Sequence, residues 1–118
     1  MSNAFIWFDH RSDDPSGAGA FYEKLLDWKQ AAESPPGMTA FAEDGERPWS
    51  GMAASEELPA GWLPYVQVDD LDASANKAKK LGAKLLKGRT RGPAGDFVVI
   101  RDPAGGTLAL WESPESAT

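Results

Sequence analysis

The stretch that decides the fold is Arg101-Asp102-Pro103-Ala104-Gly105-Gly106-Thr107-Leu108-Ala109-Leu110-Trp111-Glu112. Pro103 fixes φ at one position of a tight turn, and the two glycines can adopt the positive φ that the exit from such a turn requires. Residues 96–101 before the turn and 107–112 after it are rich in β-branched and aliphatic side chains, which favours strands. The sequence therefore predicts a β-hairpin here.

The rest of the chain repeats one order of elements, which predicts an α+β fold of two βαβββ modules. Asp14-Pro15 corresponds to Asp70-Leu71, and 26–28 corresponds to 81–83, at an offset of roughly 55 residues. We expect a single domain in which module one covers about 3–54, a Pro- and Gly-punctuated linker covers 55–61, and module two covers about 62–113.

Local signals set the expected bounds of the elements. Asp14 followed by Pro15 predicts a helix start, with Asp14 as N-cap, and Gly82 is expected just past the end of the second helix. The expected strands are 4–8, an edge strand ending near 33, 38–42, 47–53, 62–68, 83–87, 96–101 and 107–112, with a mobile loop at 88–95. The expected inward faces are Ala18, Phe21, Tyr22, Leu25 and Leu26 on the first helix, and Leu71, Ala75, Ala78 and Leu81 on the second.

Composition excludes several classes of function. The net charge of −6 and the pI near 4.7 argue against nucleic acid and anionic membrane as partners. The chain has no cysteine, which rules out disulfides and thiolate catalysis, and its single histidine, His10, rules out a site of two histidines within one chain. Because no apolar stretch approaches the roughly 20 residues that a membrane helix needs and no leader pattern is visible, we expect a cytoplasmic protein.

The hairpin resembles the way in which modules of the vicinal-oxygen-chelate superfamily close, with a strand, an Asp-Pro-x-Gly turn and a strand ending in glutamate. That superfamily contains glyoxalases, extradiol dioxygenases and bleomycin-resistance proteins. The resemblance implies two modules that form a curved, partly open eight-stranded barrel-like sheet with a concave binding face, and a homodimer. It covers nearly the whole chain, and its other carriers are Phe21-Tyr22, the strand 62–68 running into Asp69-Asp70-Leu71, and Leu81-Gly82-Ala83.

The resemblance also locates where a metal would be bound. Metal-dependent members carry a His, Glu or Gln in the first strand of each module and a Glu or His in the last strand of each. The corresponding positions fall on Trp7, Leu63 and Ala109, with the fourth near Gly51 or Met52. None of these side chains donates to a metal, whereas a divalent cation here needs roughly three or four N or O ligands. We expect no metal, no cofactor and no catalytic residue of the usual kind.

The period of 2 along strands predicts instead a ligand-binding wall. Aliphatic side chains on one face should pack on the helices, and the mixed aromatic and polar face should line a cup, as in many small-molecule pockets. These rings could equally form a second hydrophobic core or a dimer interface. The expected ligand-binding residues are Trp7, Trp49, Leu63, Tyr65, Gln67, Thr107 and Trp111.

Two functions remain open at this point. One is a metal-free small-molecule-binding protein, resembling the bleomycin-resistance type, that holds an aromatic or cationic ligand in a Trp-lined cleft through contacts that include cation–π interactions. The alternative is a metal-dependent lyase or dioxygenase of the glyoxalase type with ligands in atypical positions such as Asp9, His10 or Glu43. Apart from a ligand role, we expect His10 to be a surface or capping residue and Glu112 to have a structural role. Asp9 shares the face of Trp7 and could reach the rim of the cup, but we expect it in a solvated turn.

Overall fold

The computed structural model describes residues 3–26, 28–30, 39–43, 49–55, 57–92 and 95–114. Its mixed β-sheet and two helices confirm the α+β class. The elements are β1 Phe5–Ser12, α1 Pro15–Leu25, β2 Trp28–Gln30, β3 Thr39–Glu43, β4 Ser50–Ala54, β5 Gly61–Gln67, α2 Leu71–Lys80, β6 Lys84–Arg91, β7 Asp96–Arg101 and β8 Thr107–Glu112.

Contacts divide the chain into unit A, Trp7–Leu63, and unit B, Met1–Ile6 with Pro64–Thr118. In unit A the strand order is β2-β3-β4-β1, with β1 and β4 parallel. In unit B the order is β5-β8-β7-β6, with β5 and β8 parallel. Each parallel pair joins the first and last strands of a βαβββ run. The eight-stranded barrel-like sheet and the module boundaries stay predictions.

Strand β1 is longer than the sequence predicts, and this changes the setting of two polar residues. It continues to Ser12 instead of ending near Phe8, because its second half forms a parallel ladder with β4 that includes Asp9 opposite Gly51. The start of the strand is exposed, at Phe5 and Ile6. Asp9 therefore belongs to a strand and not to a solvated turn.

Helix α1 begins as predicted, but only part of its predicted inward face is sequestered. The Asp14 side chain accepts a hydrogen bond from the Gly17 N–H at 3.0 Å, which confirms the N-cap. Of the predicted inward residues, Ala18 and Tyr22 are half-buried, whereas Phe21, Leu25 and Leu26 are exposed, at 57%, 61% and 38%. The sequestered stripe has the same helical spacing and includes two small residues, Ala18 and Gly19. Its residues are Pro15, Ala18, Gly19 and Tyr22.

Unit B has an aliphatic core between α2 and its sheet. Leu71 and Ala75 of α2 pack against a set of valine, isoleucine and leucine side chains, and Ala78 packs against the same cluster. The prediction for this helix is wrong only at Leu81, which is 70% exposed, because Leu81 is the C-cap residue and has left the helical conformation. The sheet residues of the core are Val68, Val98, Ile100 and Leu110.

The decisive hairpin forms as predicted. The Asp102 N–H donates to the Gly106 carbonyl at 2.8 Å, Gly105 has φ of +100°, and the Asp102 carboxylate accepts the N–H groups of Ala104 and Gly106. Strands β7 and β8 have the predicted bounds. β6 extends to Arg91, into the segment predicted to be a mobile loop, and its ladder with β7 absorbs the extra residues through register shifts.

Some predictions fall on residues outside the described part of the chain. These are the residues 31–38, which include the end of the predicted edge strand and the Pro35-Pro36-Gly37 turn, and the hairpin turn with its entry to β4 at 44–48. Among the described residues, neither helix has the length or apolarity needed to cross a membrane.

Candidate functional site

The face of β1 that points away from α1 carries a hydrogen-bonded row of three side chains. The Trp7 indole N–H donates to Oδ1 of Asp9 at 2.5 Å. Oδ2 of the same carboxylate pairs with the Arg11 guanidinium at 3.1 Å, and Arg11 also donates to the Ala54 carbonyl at 3.3 Å. These residues lie two positions apart, so the pleat of the strand places them on one face. His10, on the other face, contacts Tyr22 of α1.

Asp9 and Arg11 are the most deeply buried ion pair of the described residues. Asp9 is 1% exposed and Arg11 is 6% exposed. Removing two charges from water is costly, and replacing a buried pair with apolar side chains is often neutral or stabilising. Stability alone therefore gives little reason for charges at these two positions. The Asp9 carboxylate nonetheless accepts hydrogen bonds from both the Trp7 indole and the Arg11 guanidinium.

The opposite face of unit A holds an aromatic cluster. The Tyr22 ring stacks on Trp28 at 5.5 Å, and Trp49 meets Trp28 edge-on at 4.8 Å. Trp62 donates its indole N–H to the Tyr22 hydroxyl at 3.2 Å, and His10 packs perpendicular to Trp62 at 5.1 Å. These rings fill the space between α1 and its sheet that aliphatic side chains fill in unit B. The Trp49 ring is thus tied to the cluster around α1.

One ring nitrogen of His10 lies in this cluster without a hydrogen bond. Its Nδ1 is buried and has no hydrogen-bond partner, and the same is true of the hydroxyl of fully buried Ser50 on β4. The ring contacts of His10 with Tyr22 and Trp62 stabilise it as an aromatic side chain. The expectation that His10 is a surface residue is wrong, since it is half-buried between helix and sheet.

In unit B the sheet face away from α2 is aromatic and closely packed. The Tyr65 and Phe97 rings lie 5.5 Å apart, and Phe97 is opposite Trp111 in the β7–β8 ladder. Ala109 is opposite Tyr65 in the β5–β8 ladder and is fully buried. The Lys87 ammonium lies 5.9 Å from the centre of the Phe97 ring, within reach of a cation–π contact. Phe97 is therefore a member of this face that the sequence prediction omitted.

Arg89 joins three carboxylates at one end of this unit. It donates to Glu112 and Asp96 at 2.9 Å each and to Asp72 at 3.1 Å. The hydrogen bond to Glu112, opposed by partial burial and assisted by Asp96 and Asp72, raises the pKa of Arg89 above its ordinary value. Oε1 of Glu112 accepts the N–H of Leu71, the first residue of α2. These contacts support the structural role expected for Glu112.

A cleft of about 320 Å³ lies beside this network. Gly95 lines this cleft, and a side chain cannot fit there, since a Cβ would lie 2.4 Å from the Glu112 carbonyl and 2.7 Å from the Trp111 indole nitrogen. No predicted ligand-binding residue lines this cleft. Its lining residues are Arg91, Gly92, Gly95, Asp96, Glu112, Ser113 and Pro114.

The predicted ligand-binding residues fall in two groups, one in each unit. In unit A, Trp7 lies on the face away from α1, Leu63 is buried, and Trp49 packs on Trp28. In unit B the register puts the other residues on the face away from α2, with Tyr65 buried and the rest half-buried. These are Tyr65, Gln67, Thr107 and Trp111. That both groups line one ligand site stays a prediction.

The strand registers identify the fourth position at which the superfamily carries a metal ligand. Asp9, two residues after Trp7, is opposite Gly51, just as Tyr65, two residues after Leu63, is opposite Ala109. Gly51 rather than Met52 is therefore the unit A counterpart of Ala109. Tryptophan, glycine, leucine and alanine offer no side-chain oxygen or imidazole to an ion. Within the described ranges, no three or more acidic or histidine side chains converge as metal ligands. The donor set does not fit the metal that the superfamily implies.

Sequence reasoning placed Asp9 in a solvated turn although it shares the face of Trp7, and it overlooked Arg11 on the same face. Asp9 and Arg11 follow Trp7 at intervals of two, which is the period of a strand. The strand was expected to end before them because charged residues interrupt the apolar run. Their mutual pairing makes burial possible, and a side-chain pair on one strand is not visible in a composition pattern.

The chain belongs to the Glyoxalase-like domain family, whose family model matches residues 6–111. This confirms the resemblance to the vicinal-oxygen-chelate superfamily. The match covers both parallel strand pairs and both helices, so it rests on the elements described above.

Particular relatives fit this assignment. “Putative glyoxylase CFP32” of Mycobacterium tuberculosis (strain CDC 1551 / Oshkosh) is 28% identical over 116 residues, which span 91% of this chain and 44% of the relative. The chain thus spans less than half the length of the curated relatives it matches.

Two solved structures share the fold at low sequence identity. A glyoxalase/bleomycin resistance protein/dioxygenase superfamily member from Vibrio splendidus 12B01 is 13% identical with a TM-score of 0.61, over 91% of this chain and 97% of that one. Homoprotocatechuate 2,3-dioxygenase from Brevibacterium fuscum is 15% identical with a TM-score of 0.64, over 92% of this chain and 36% of that one. These likenesses concern the fold alone.

Proposed function

We propose that this chain is a small-molecule-binding protein of the glyoxalase and bleomycin-resistance-like type that works without a metal and holds an aromatic or cationic ligand in a Trp-lined cleft. The observation that carries the proposal is the residue set at the four positions where metal-dependent relatives place ligands. Trp7, Gly51, Leu63 and Ala109 supply rings and small apolar groups there. The proposal includes the pairing of the two modules into a curved, partly open eight-stranded sheet.

The faces of the two units support this proposal separately. In unit A, Trp7 is half-buried, and its hydrogen bond to Asp9 engages the ring edge and not the ring faces. In unit B, Tyr65, Phe97 and Trp111 share the face away from α2. Aromatic walls with a few fixed polar groups are typical of small-molecule sites, and tryptophan is the best cation–π partner.

The metal-dependent alternative finds no support among the described residues. Asp9 and His10 are adjacent in β1, so they point to opposite faces and cannot converge on one ion. The Asp9 carboxylate already accepts from Trp7 and Arg11. The third atypical ligand considered from the sequence, Glu43, has a side chain outside the described set.

A ligand titration tests the proposal directly. Benzyltrimethylammonium is both aromatic and cationic, and neopentylbenzene is its neutral isostere. We expect the first to quench tryptophan emission saturably, and Trp7→Ala to weaken its binding roughly tenfold, because a lost ring contact of about 1–2 kcal/mol corresponds to that factor. Equal binding of the two compounds would indicate recognition of the aromatic ring, and tighter binding of the first would indicate recognition of the charge.

A control variant and two contradicting results complete this binding test. Trp62→Phe changes a ring on the α1 side of unit A and should leave the affinity unchanged. If neither compound binds, or if Trp7→Ala binds as well as the wild type, the proposed site is wrong. A stoichiometric, tightly held divalent metal together with turnover of the methylglyoxal–glutathione hemithioacetal would establish the alternative function instead.

We also propose that the protein forms a homodimer and acts in the cytoplasm. The exposed side chains of Phe21 and Leu25, one turn apart on α1, support an interface in unit A. Sedimentation equilibrium of the wild type and of a Phe21→Ser/Leu25→Ser variant tests this. A monomeric wild type contradicts the proposal, as does a dimer of unchanged affinity in the variant.

A further inference from the structure

We infer that Asp9 is a positioning residue that fixes the Trp7 indole in the proposed ligand site, with Arg11 holding the Asp9 carboxylate in place. This inference rests on the proposed function, because it gives the role of Trp7 in that site a structural cause. It concerns two charged residues whose presence in a buried strand face neither packing nor the family assignment explains.

The first step is geometric. The indole N–H lies in the plane of the ring, so its bond to Oδ1 of Asp9 engages the ring edge and leaves both ring faces clear of this carboxylate. Trp7 and Asp9 lie two positions apart on one strand, so the bond also fixes the direction in which the ring leaves the sheet. A ring held by its edge can present a face to a ligand without an entropic cost of ordering at the moment of binding.

The second step concerns charge. A carboxylate that is 1% exposed needs a partner, and Arg11 supplies it through Oδ2, the oxygen that Trp7 does not use. Arg11 is in turn anchored by the Ala54 carbonyl at the end of β4. The row Trp7–Asp9–Arg11 is therefore anchored at its Arg11 end, and each member limits the rotamers of the next.

The third step concerns the ring itself. Donation of the indole proton to an ionised carboxylate polarises the ring and increases the electron density on its faces. A cation above that face is attracted more strongly than above an indole that donates to water. The ligand class that the row favours is therefore a cationic one, which narrows the proposed function from aromatic or cationic to cationic.

The test uses the indole N–H signals of the full chain in a ¹H–¹⁵N correlation spectrum. The chain has five tryptophans, and the Trp7→Phe variant identifies the signal of Trp7. We expect this signal downfield of the others and protected from hydrogen exchange in the wild type. In a variant with both charges replaced by apolar groups, Asp9→Leu/Arg11→Met, the Trp7 signal should move upfield and lose protection. The double replacement removes both members of the buried pair together, so neither charge is left buried without the other.

The binding readout uses benzyltrimethylammonium and neopentylbenzene on the same samples. We expect Asp9→Leu/Arg11→Met to weaken binding of the cation at least fivefold and binding of the neutral compound by a clearly smaller factor, because the neutral compound loses the ordered ring but no attraction between the ring and a cation. Asp13→Asn, which alters an exposed carboxylate bonded to Ser55, is the matched control and should change neither signal nor affinity.

Two outcomes overturn the inference. One is a Trp7 signal that keeps its position and protection in the double variant, which shows that Asp9 does not hold the ring. The other is an equal loss of affinity for both compounds, which shows a general loss of the site. If the wild type binds neither compound, the proposed function fails, and the indole signal alone then decides whether Asp9 positions Trp7.

Discussion

Replacing Glu112 by alanine tests how unit B joins its helix to its sheet. The side chain is 6% exposed, and Oε1 accepts the backbone N–H of Leu71 at 2.9 Å while Oε2 accepts from Arg89. Leu71 is itself fully buried in the aliphatic core. In Glu112→Ala the Leu71 N–H therefore loses its acceptor in a place that water does not reach.

The size of the effect follows from two contributions. A buried N–H without an acceptor costs roughly 1–3 kcal/mol. Loss of a negative charge at a helix N-terminus costs about 0.3–1 kcal/mol more. We expect a fall in the free energy of unfolding of roughly 1.5–4 kcal/mol, a large share of the 5–15 kcal/mol typical of a domain. Glu112→Gln keeps an oxygen for Leu71 and should lose clearly less.

The measurement is urea unfolding followed by circular dichroism and by tryptophan emission. Glu23→Ala, an exposed change on α1 in the other unit, is the control and should stay within about 0.5 kcal/mol of the wild type. Equal losses in Glu112→Ala and Glu112→Gln would refute the reasoning, because they would mean that the hydrogen bond to Leu71 contributes nothing beyond the charge.

Three further predictions use the same unfolding measurement. Gly95→Ala should lower the free energy of unfolding by roughly 1–3 kcal/mol, because the residue has φ of +154° and its Cβ would lie 2.4 Å from a backbone oxygen of β8. Gly88→Ala is the control and should leave the stability unchanged, because a Cβ there meets open space. Leu71→Ala should lower the free energy of unfolding by about 2–5 kcal/mol, whereas Leu81→Ala, at an exposed position, should leave it nearly unchanged. Similar losses of stability at the two positions would contradict the assigned helix face. Asp70→Ala should lose about 0.5–2 kcal/mol because the Ala73 N–H loses its acceptor, and Asp70→Asn should restore most of this; an Asn variant as unstable as the Ala variant would exclude capping as the cause.

The sequence predicts unit B more accurately than unit A. Along the strands of unit B, valine, isoleucine and leucine side chains on one face alternate with aromatic side chains on the other. The period of 2 therefore identifies both faces correctly. The caps Asp14 and Asp70 were also predictable, because an N-cap is a local interaction between a side chain and the next turn of its own helix.

The orientation of α1 could not be predicted from its pattern. The large apolar residues Phe21 and Leu25 suggest the inward face, but the residues that face the sheet are Ala18 and Gly19, with Tyr22 reaching the aromatic cluster. Helical spacing is equally well satisfied by both stripes. The choice between them depends on how closely the backbone can approach the sheet, which is a property of the partner strands as well as of the helix.

The positions of the superfamily's metal ligands show what the sequence pattern and the strand register each identify. The resemblance placed three of them on single residues and left the fourth between Gly51 and Met52. The β1–β4 ladder decides for Gly51, since Asp9 is its partner and Asp9 shares a face with Trp7. A glycine at this point offers no side-chain ligand to a metal. The same register places the Asp9–Arg11 pair on the face where the ligand is proposed to bind.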